Sequence, residues 1–210
     1  MLNILKKLTA RLFAGAILLI SSAAVNAAIS LNLEPSSYHL SVGSPFTVNL
    51  VVNGLGDHTA PSLSAFDVDV SFDALLFSLG TVTFGPGLGD LFMDEAMAAL
   101  NSSTPGTVNL SEFSLLEVNS SNCFFCTGPY LEDLQTSILT LVSLSFTAVL
   151  PGTGSFGLAV NSFADGFGDP LIAGLSATPS VSVPNPDPLW LFCIGFAALG
   201  VFRFRLAKPG

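Results

Sequence analysis

A few side chains in this 210-residue sequence have the types and spacing for chemistry. Cys123 and Cys126, in "NCFFCTGPY", form a CxxC, the spacing of a redox pair, half a zinc site or a local disulfide. A reactive thiolate wants positive charge or a helix N-terminus, but this loop has no basic neighbour, and Glu117, Glu132 and Asp133 oppose a thiolate. A closed zinc site needs four ligands, and His39 and His58 lack finger-like spacing. In an oxidising compartment the reading is a disulfide, worth about 2 kcal/mol for so small a loop. Cys193 stands apart in an apolar run, where it acts as filler.

The acids offer a second chemistry. Asp67 and Asp69 alternate along one strand face, about 7 Å apart, and Asp165 and Asp169 bracket a glycine-containing loop. Without Lys or Arg to pair with, such groups are either solvated or meet a cation, which makes these four the candidates for calcium. There is no EF-hand spacing, and no other cofactor is indicated. Catalysis has less to work with. His39 in "SSYHLSVG" is expected on a strand and His58 in the loop "GDHTAP", both as surface polar groups, and "SFDALL" is no nucleophile elbow. No catalytic residue is assigned, although a pair of carboxylates facing a cleft would suffice for a glycosidase.

Charge placement says where these groups work. All six Lys and Arg lie in residues 1–11 or 203–208, and all fifteen Asp and Glu lie between them. So acidic a body repels phosphate backbones, which excludes nucleic acid as a partner and favours water, cations or neutral partners such as sugars. The N-terminal end has Lys6, Lys7 and Arg11, the apolar "LFAGAILLI" and the small residues "SSAAVNAA". That is a signal peptide, residues 1–27, with Val25 and Ala27 at the small-residue cleavage positions.

The C-terminal end is built differently. After "VPNPDP" comes an apolar run from Leu189, which reaches about 27 Å of helix if it extends to Leu206 with Arg203 and Arg205 snorkelling. This Pro-rich break, apolar segment and basic terminus resembles the PEP-CTERM sorting signal of exopolysaccharide-producing Gram-negative bacteria. Val183, Pro184, Asn185 and Pro186 occupy the place of that family's Val-Pro-Glu-Pro, with Asn185 where the family carries Glu, and Arg203 and Arg205 match its basic end. The resemblance implies a temporary membrane anchor, residues 184–210 with a transmembrane segment 189–206, removed by an exosortase.

What remains, residues 28–183, is one domain's worth of chain with a β texture. In "PFTVNLVVNGLG", Phe46, Val48, Leu50 and Val52 share a face; in "AFDVDVSFD", Phe66, Val68, Val70 and Phe72 alternate with Asp67, Asp69 and Ser71. "GTVNLSEFSLLE", "QTSILTLVSLSFTAVLPGTG" and "GSFGLAVNSFADGFGD" continue the rhythm, with turns at "TPG", "LPGTG" and "DGFGD". Only "DLFMDEAMAAL", Asp90 to Leu100, reads as a short helix. The expectation is all-β, an antiparallel sandwich with phenylalanines between its inner faces. The stretch from Leu63 to Asp90 is similar to the cohesin module. Asp73, Leu75 and Leu76 match that family's strand-ending Asp and its turn, with Ala74 where the family has Pro. The resemblance implies a jelly-roll sandwich that also serves carbohydrate-binding modules.

Three functions follow as expectations. The first is a non-catalytic exported protein of the cell surface or exopolysaccharide matrix, tethered to the inner membrane and released by an exosortase-type enzyme. The second is a binding module for extracellular polysaccharide or a dockerin-type surface protein. A sugar site wants exposed aromatics, yet Tyr38 and Tyr130 are the only tyrosines and the single Trp, Trp190, is in the tail. The third is a polysaccharide-acting hydrolase, for which no motif is present.

Overall fold

The computed structural model describes residues 28–121 and 127–185. The expected leader, Cys123, Cys126 and the tail from Pro186, with Arg203 and Arg205, lie outside them. Among the described residues no helix is long and apolar enough to cross a membrane.

The strands in chain order are β1 (Ser30–Pro35), β2 (Pro45–Asn53), β3 (Leu63–Ser71), β4 (Phe77–Phe84), β5 (Ala96–Asn101), β6 (Thr107–Ser114), β7 (Ile138–Ala148), β8 (Gly152–Ser155), β9 (Gly157–Asp165), β10 (Gly174–Leu175) and β11 (Ser180–Val183). A 3-10 turn, Pro86–Leu88, and one short helix, α1 (Leu131–Leu134), interrupt them. They form a five-stranded sheet, β10-β1-β2-β7-β4, a four-stranded sheet, β5-β6-β3-β9, and the small pair β11-β8. Pairing is antiparallel except for the two-residue contact of β10 with β1, which is parallel.

The alternation in the sequence becomes the two inner faces. Phe46, Val48, Leu50 and Val52 of β2 are buried, as are Phe66, Val68 and Val70 of β3, and they meet in one core. Its centre is aromatic: Phe146 stacks on Phe46 at 5.6 Å and meets Phe72 and Phe156 edge-on at 5.0 and 5.2 Å. Rings fill the space between two sheets with few torsions to freeze, which is why phenylalanine serves here.

Two local expectations change. Asp90–Leu100 is not helical: a turn leads into β5, which pairs with β6 along its whole length. Ala, Met and Leu favour a helix weakly, and an open edge on β6 outweighs that preference. His39 makes only an isolated bridge to Ser182 rather than lying in a strand. The connection after β3 is tied by Asp73, whose Oδ1 accepts from Leu75 N–H at 2.9 Å and whose carbonyl accepts from Phe77 N–H at 2.9 Å. Gly106, at φ +78°, closes the turn into β6 where a Cβ would stand 2.8 Å from the Phe72 carbonyl oxygen.

Candidate functional site: the outer face of the four-stranded sheet

Strand parity decides what this face presents. On β3, Phe66, Val68 and Val70 point inward, so Ala65, Asp67, Asp69 and Ser71 point out. The register sets Asp67 beside Ser111 of β6 and Ser162 of β9, and Asp69 beside Asn109 and Ala159. The surroundings of the two carboxylates are thus short side chains, and a partner can approach them closely. At one corner Met97 of β5 lies opposite Phe113 of β6, both about half exposed.

Two carboxylates on one strand face repel, and here two amides hold them together. Asn109 Nδ2 donates to Asp67 Oδ1 at 2.6 Å and to Asp69 Oδ1 at 2.9 Å. Asn161 Nδ2 donates to Asp67 Oδ1 and Asp69 Oδ2, both at 3.1 Å. Asn161 reaches them because the β3–β9 register shifts between Asp67 and Val68, and such an irregularity re-aims a side chain. The amides of Asn161 and then Asn109 hold the Asp69 carboxyl below its ordinary range. Asp67 Oδ2 takes no hydrogen bond from the described residues. The result is a fixed pair of carboxylates facing solvent, with no Lys or Arg beside it among the described residues.

The remaining expected residues lie elsewhere. Asp165 is a turn acceptor: its Oδ1 takes the N–H groups of Phe167 and Asp169, both at 2.9 Å, and its own N–H donates to the Asp169 carbonyl. It sits opposite Leu63, at the far end of β9 from Ala159. Among the described residues no group of three or more His, Cys, Asp or Glu side chains comes together as a metal site would need. His58 is in a loop at φ +54°, its Nδ1 2.9 Å from the Asp133 carbonyl, so neither histidine joins the Asp67–Asp69 pair. Val183 ends β11, buried opposite Gly152, and Pro184 and Asn185 follow it with no regular structure.

Sequence reasoning missed three things. Aromatics are exposed after all, as phenylalanine: Phe92 is 98% accessible and Phe167 63%. The two asparagines carried no signal beyond lying in strands. Glu112, on β6 between Ser111 and Phe113, points inward, is 1% exposed and finds no hydrogen-bond partner for either carboxylate oxygen among the described residues. Burial pushes its pKa up to about 8.

No family model matches this chain, and no curated protein does. Solved structures do. The solution structure of the cohesin CaCohA2 from Clostridium acetobutylicum is 17% identical, with a TM-score of 0.54 over 76% of this chain and 94% of that one. A cohesin in a type I cohesin–dockerin complex from Clostridium thermocellum is 10% identical, with a TM-score of 0.56 over 74% of this chain and 99% of that one. A non-cellulosomal cohesin from Archaeoglobus fulgidus is 10% identical, with a TM-score of 0.53 over 79% and 98%. At such identities the likeness is one of architecture, and the architecture of this sandwich is that of the cohesin modules.

Proposed function

We propose that this chain is a non-catalytic docking module of the cell exterior, which binds a dockerin-type surface protein through the outer face of the four-stranded sheet. The observation that carries the reading is the Asp67–Asp69 pair, fixed by Asn109 and Asn161 on a face of short side chains. An oriented pair of carboxylates with outward lone pairs suits the Lys or Arg of a protein partner, and Met97 with Phe113 supplies an apolar contact at the corner. The two carboxylates sit side by side on an outer sheet face rather than across a cleft, a placement that fits recognition rather than turnover. Similarity to cohesins that are complexed with dockerins supports the choice of partner over polysaccharide.

In this reading the signal peptide exports the chain, residues 184–210 tether it to the inner membrane, and an exosortase-type enzyme releases it to the surface or exopolysaccharide matrix. Intact-mass measurement of the native protein tests the processing, which predicts loss of residues 1–27 and of everything beyond about Pro188. Recovery of the full tail in a membrane fraction would leave a permanent anchor. Panning the chain against displayed dockerin modules tests the docking, and its outcome is independent of the processing.

A further inference from the structure

The edges of the two larger sheets are treated unequally. β10 is only two residues long, and β1 behind it ends in Glu34 and Pro35. β4 is irregular between Leu79 and Val82, and β9 shifts register twice. Short strands, charges, proline and bulges are the usual ways a protein keeps an edge from pairing with another chain. β5, which pairs only with β6 among the described residues, has none of them. Its six residues, "AMAALN", pair with β6 without a shift, bear no charge or proline, and are exposed from Met97 to Asn101.

Beside this edge lies a groove of about 350 Å³ between β4 and β5, lined by Phe72, Phe77, Leu79 and Leu100. A strand added to β5 would send alternate side chains into it. The chain leading into β5 is acidic, with exposed Asp90 and Asp94 followed by Glu95. It is also held in shape: Asp90 Oδ1 accepts from Phe92 N–H at 2.8 Å and Glu95 Oε2 from Asp90 N–H at 2.9 Å.

We propose that the free edge of β5 is a second docking site, which takes an extended segment of another protein as an added antiparallel strand with Lys or Arg just after it. Antiparallel pairing puts the C-terminal end of the added strand beside the start of β5, where the acids stand. Charge also decides against a second copy as occupant. Every Asp and Glu except Asp187 lies in the described residues and no Lys or Arg does, so two copies would bring like charge to the same edge.

The test is fluorescence anisotropy of the full-length chain with a labelled peptide, acetyl-TVTVTVKR-amide, combined with hydrogen exchange of the β5 amides. The peptide should bind and slow exchange at Ala96–Asn101. Glu in place of its Lys and Arg should weaken binding by about tenfold or more, as should N-methylation of alternate peptide amides. Leu100→Lys, which sets a charge at the groove on a half-exposed residue and keeps the fold, should do the same. Absence of binding, equal binding of the N-methylated peptide, or protection confined to β3 and β9 would overturn the proposal. So would dimerisation of the chain through β5 without peptide.

Discussion

The side-chain amide of Asn109 reaches from β6 to within 2.6 Å of Asp67 Oδ1 on β3, and the same nitrogen touches Asp69 at 2.9 Å. One donor group thereby holds two like charges in register on an open face. Asn109→Ala removes it and leaves Asn161 alone to bridge them. The Asp69 pKa should then rise toward the ordinary carboxylate value, read by NMR titration of its side chain. The pair is at the surface, so the domain should stay folded and cooperative in its melting. An unmoved Asp69 would show that Asn109 has no part in fixing the pair.

Glu112 gives the domain an unusual response to pH. Its folded pKa of about 8 lies above its ordinary 4.5, so between these values the folded chain keeps a proton that the unfolded chain has released. This group's contribution is therefore greatest below about pH 4.5, falls as pH rises, and levels off above about 8, with a slope of at most about 1.4 kcal/mol per pH unit. Glu112→Gln cannot ionise and should melt above the parent at pH 8, with the difference shrinking at pH 5. Equal midpoints at both values would show that Glu112 finds a partner in solution.

Gln135, which follows α1, is a polar clasp inside the sandwich. Its Oε1 accepts from Leu63 N–H at 2.7 Å, and its Nε2 donates to the carbonyls of Leu63 at 2.6 Å and Gly87 at 3.0 Å. Gln135→Ala leaves all three backbone groups buried without a partner and should cost about 1–3 kcal/mol in urea unfolding. A smaller loss would mean that water replaces the side chain.

Phe146 meets three other rings and is 1% exposed. Phe146→Ala should cost about 3–5 kcal/mol by the same measurement, since the rings of Phe46, Phe72 and Phe156 would border the void. A cost under about 1 kcal/mol would place the centre of the core elsewhere.

How legible all this was follows from the physics of each element. β3 and the first half of β2 announce themselves because one buried and one solvated face force alternation, and apolar, mostly β-branched or aromatic residues fill the buried positions. β5 does not, because "AMAALN" carries no alternation, and its strand state comes from β6 rather than from itself. Asp67 and Asp69 could be placed on one face from sequence. Their companions could not: Asn109 depends on register and Asn161 on an irregularity of β9, and neither is written in local pattern. The inward Glu112 breaks the apolar–polar alternation of β6, since it occupies an inner position where an apolar residue would ordinarily stand and Phe113 after it faces out.

The central claim, that the Asp67–Asp69 face docks a cationic protein surface, is tested most directly by calorimetric titration of a dockerin module selected by panning. The parent chain is compared with the double variant Asp67→Arg, Asp69→Arg at two salt concentrations. The account predicts binding by the parent that weakens as salt rises, and loss of at least about tenfold in affinity on charge reversal, with the melting midpoint preserved. Equal binding by the parent and the reversed variant, with no response to salt, would contradict it.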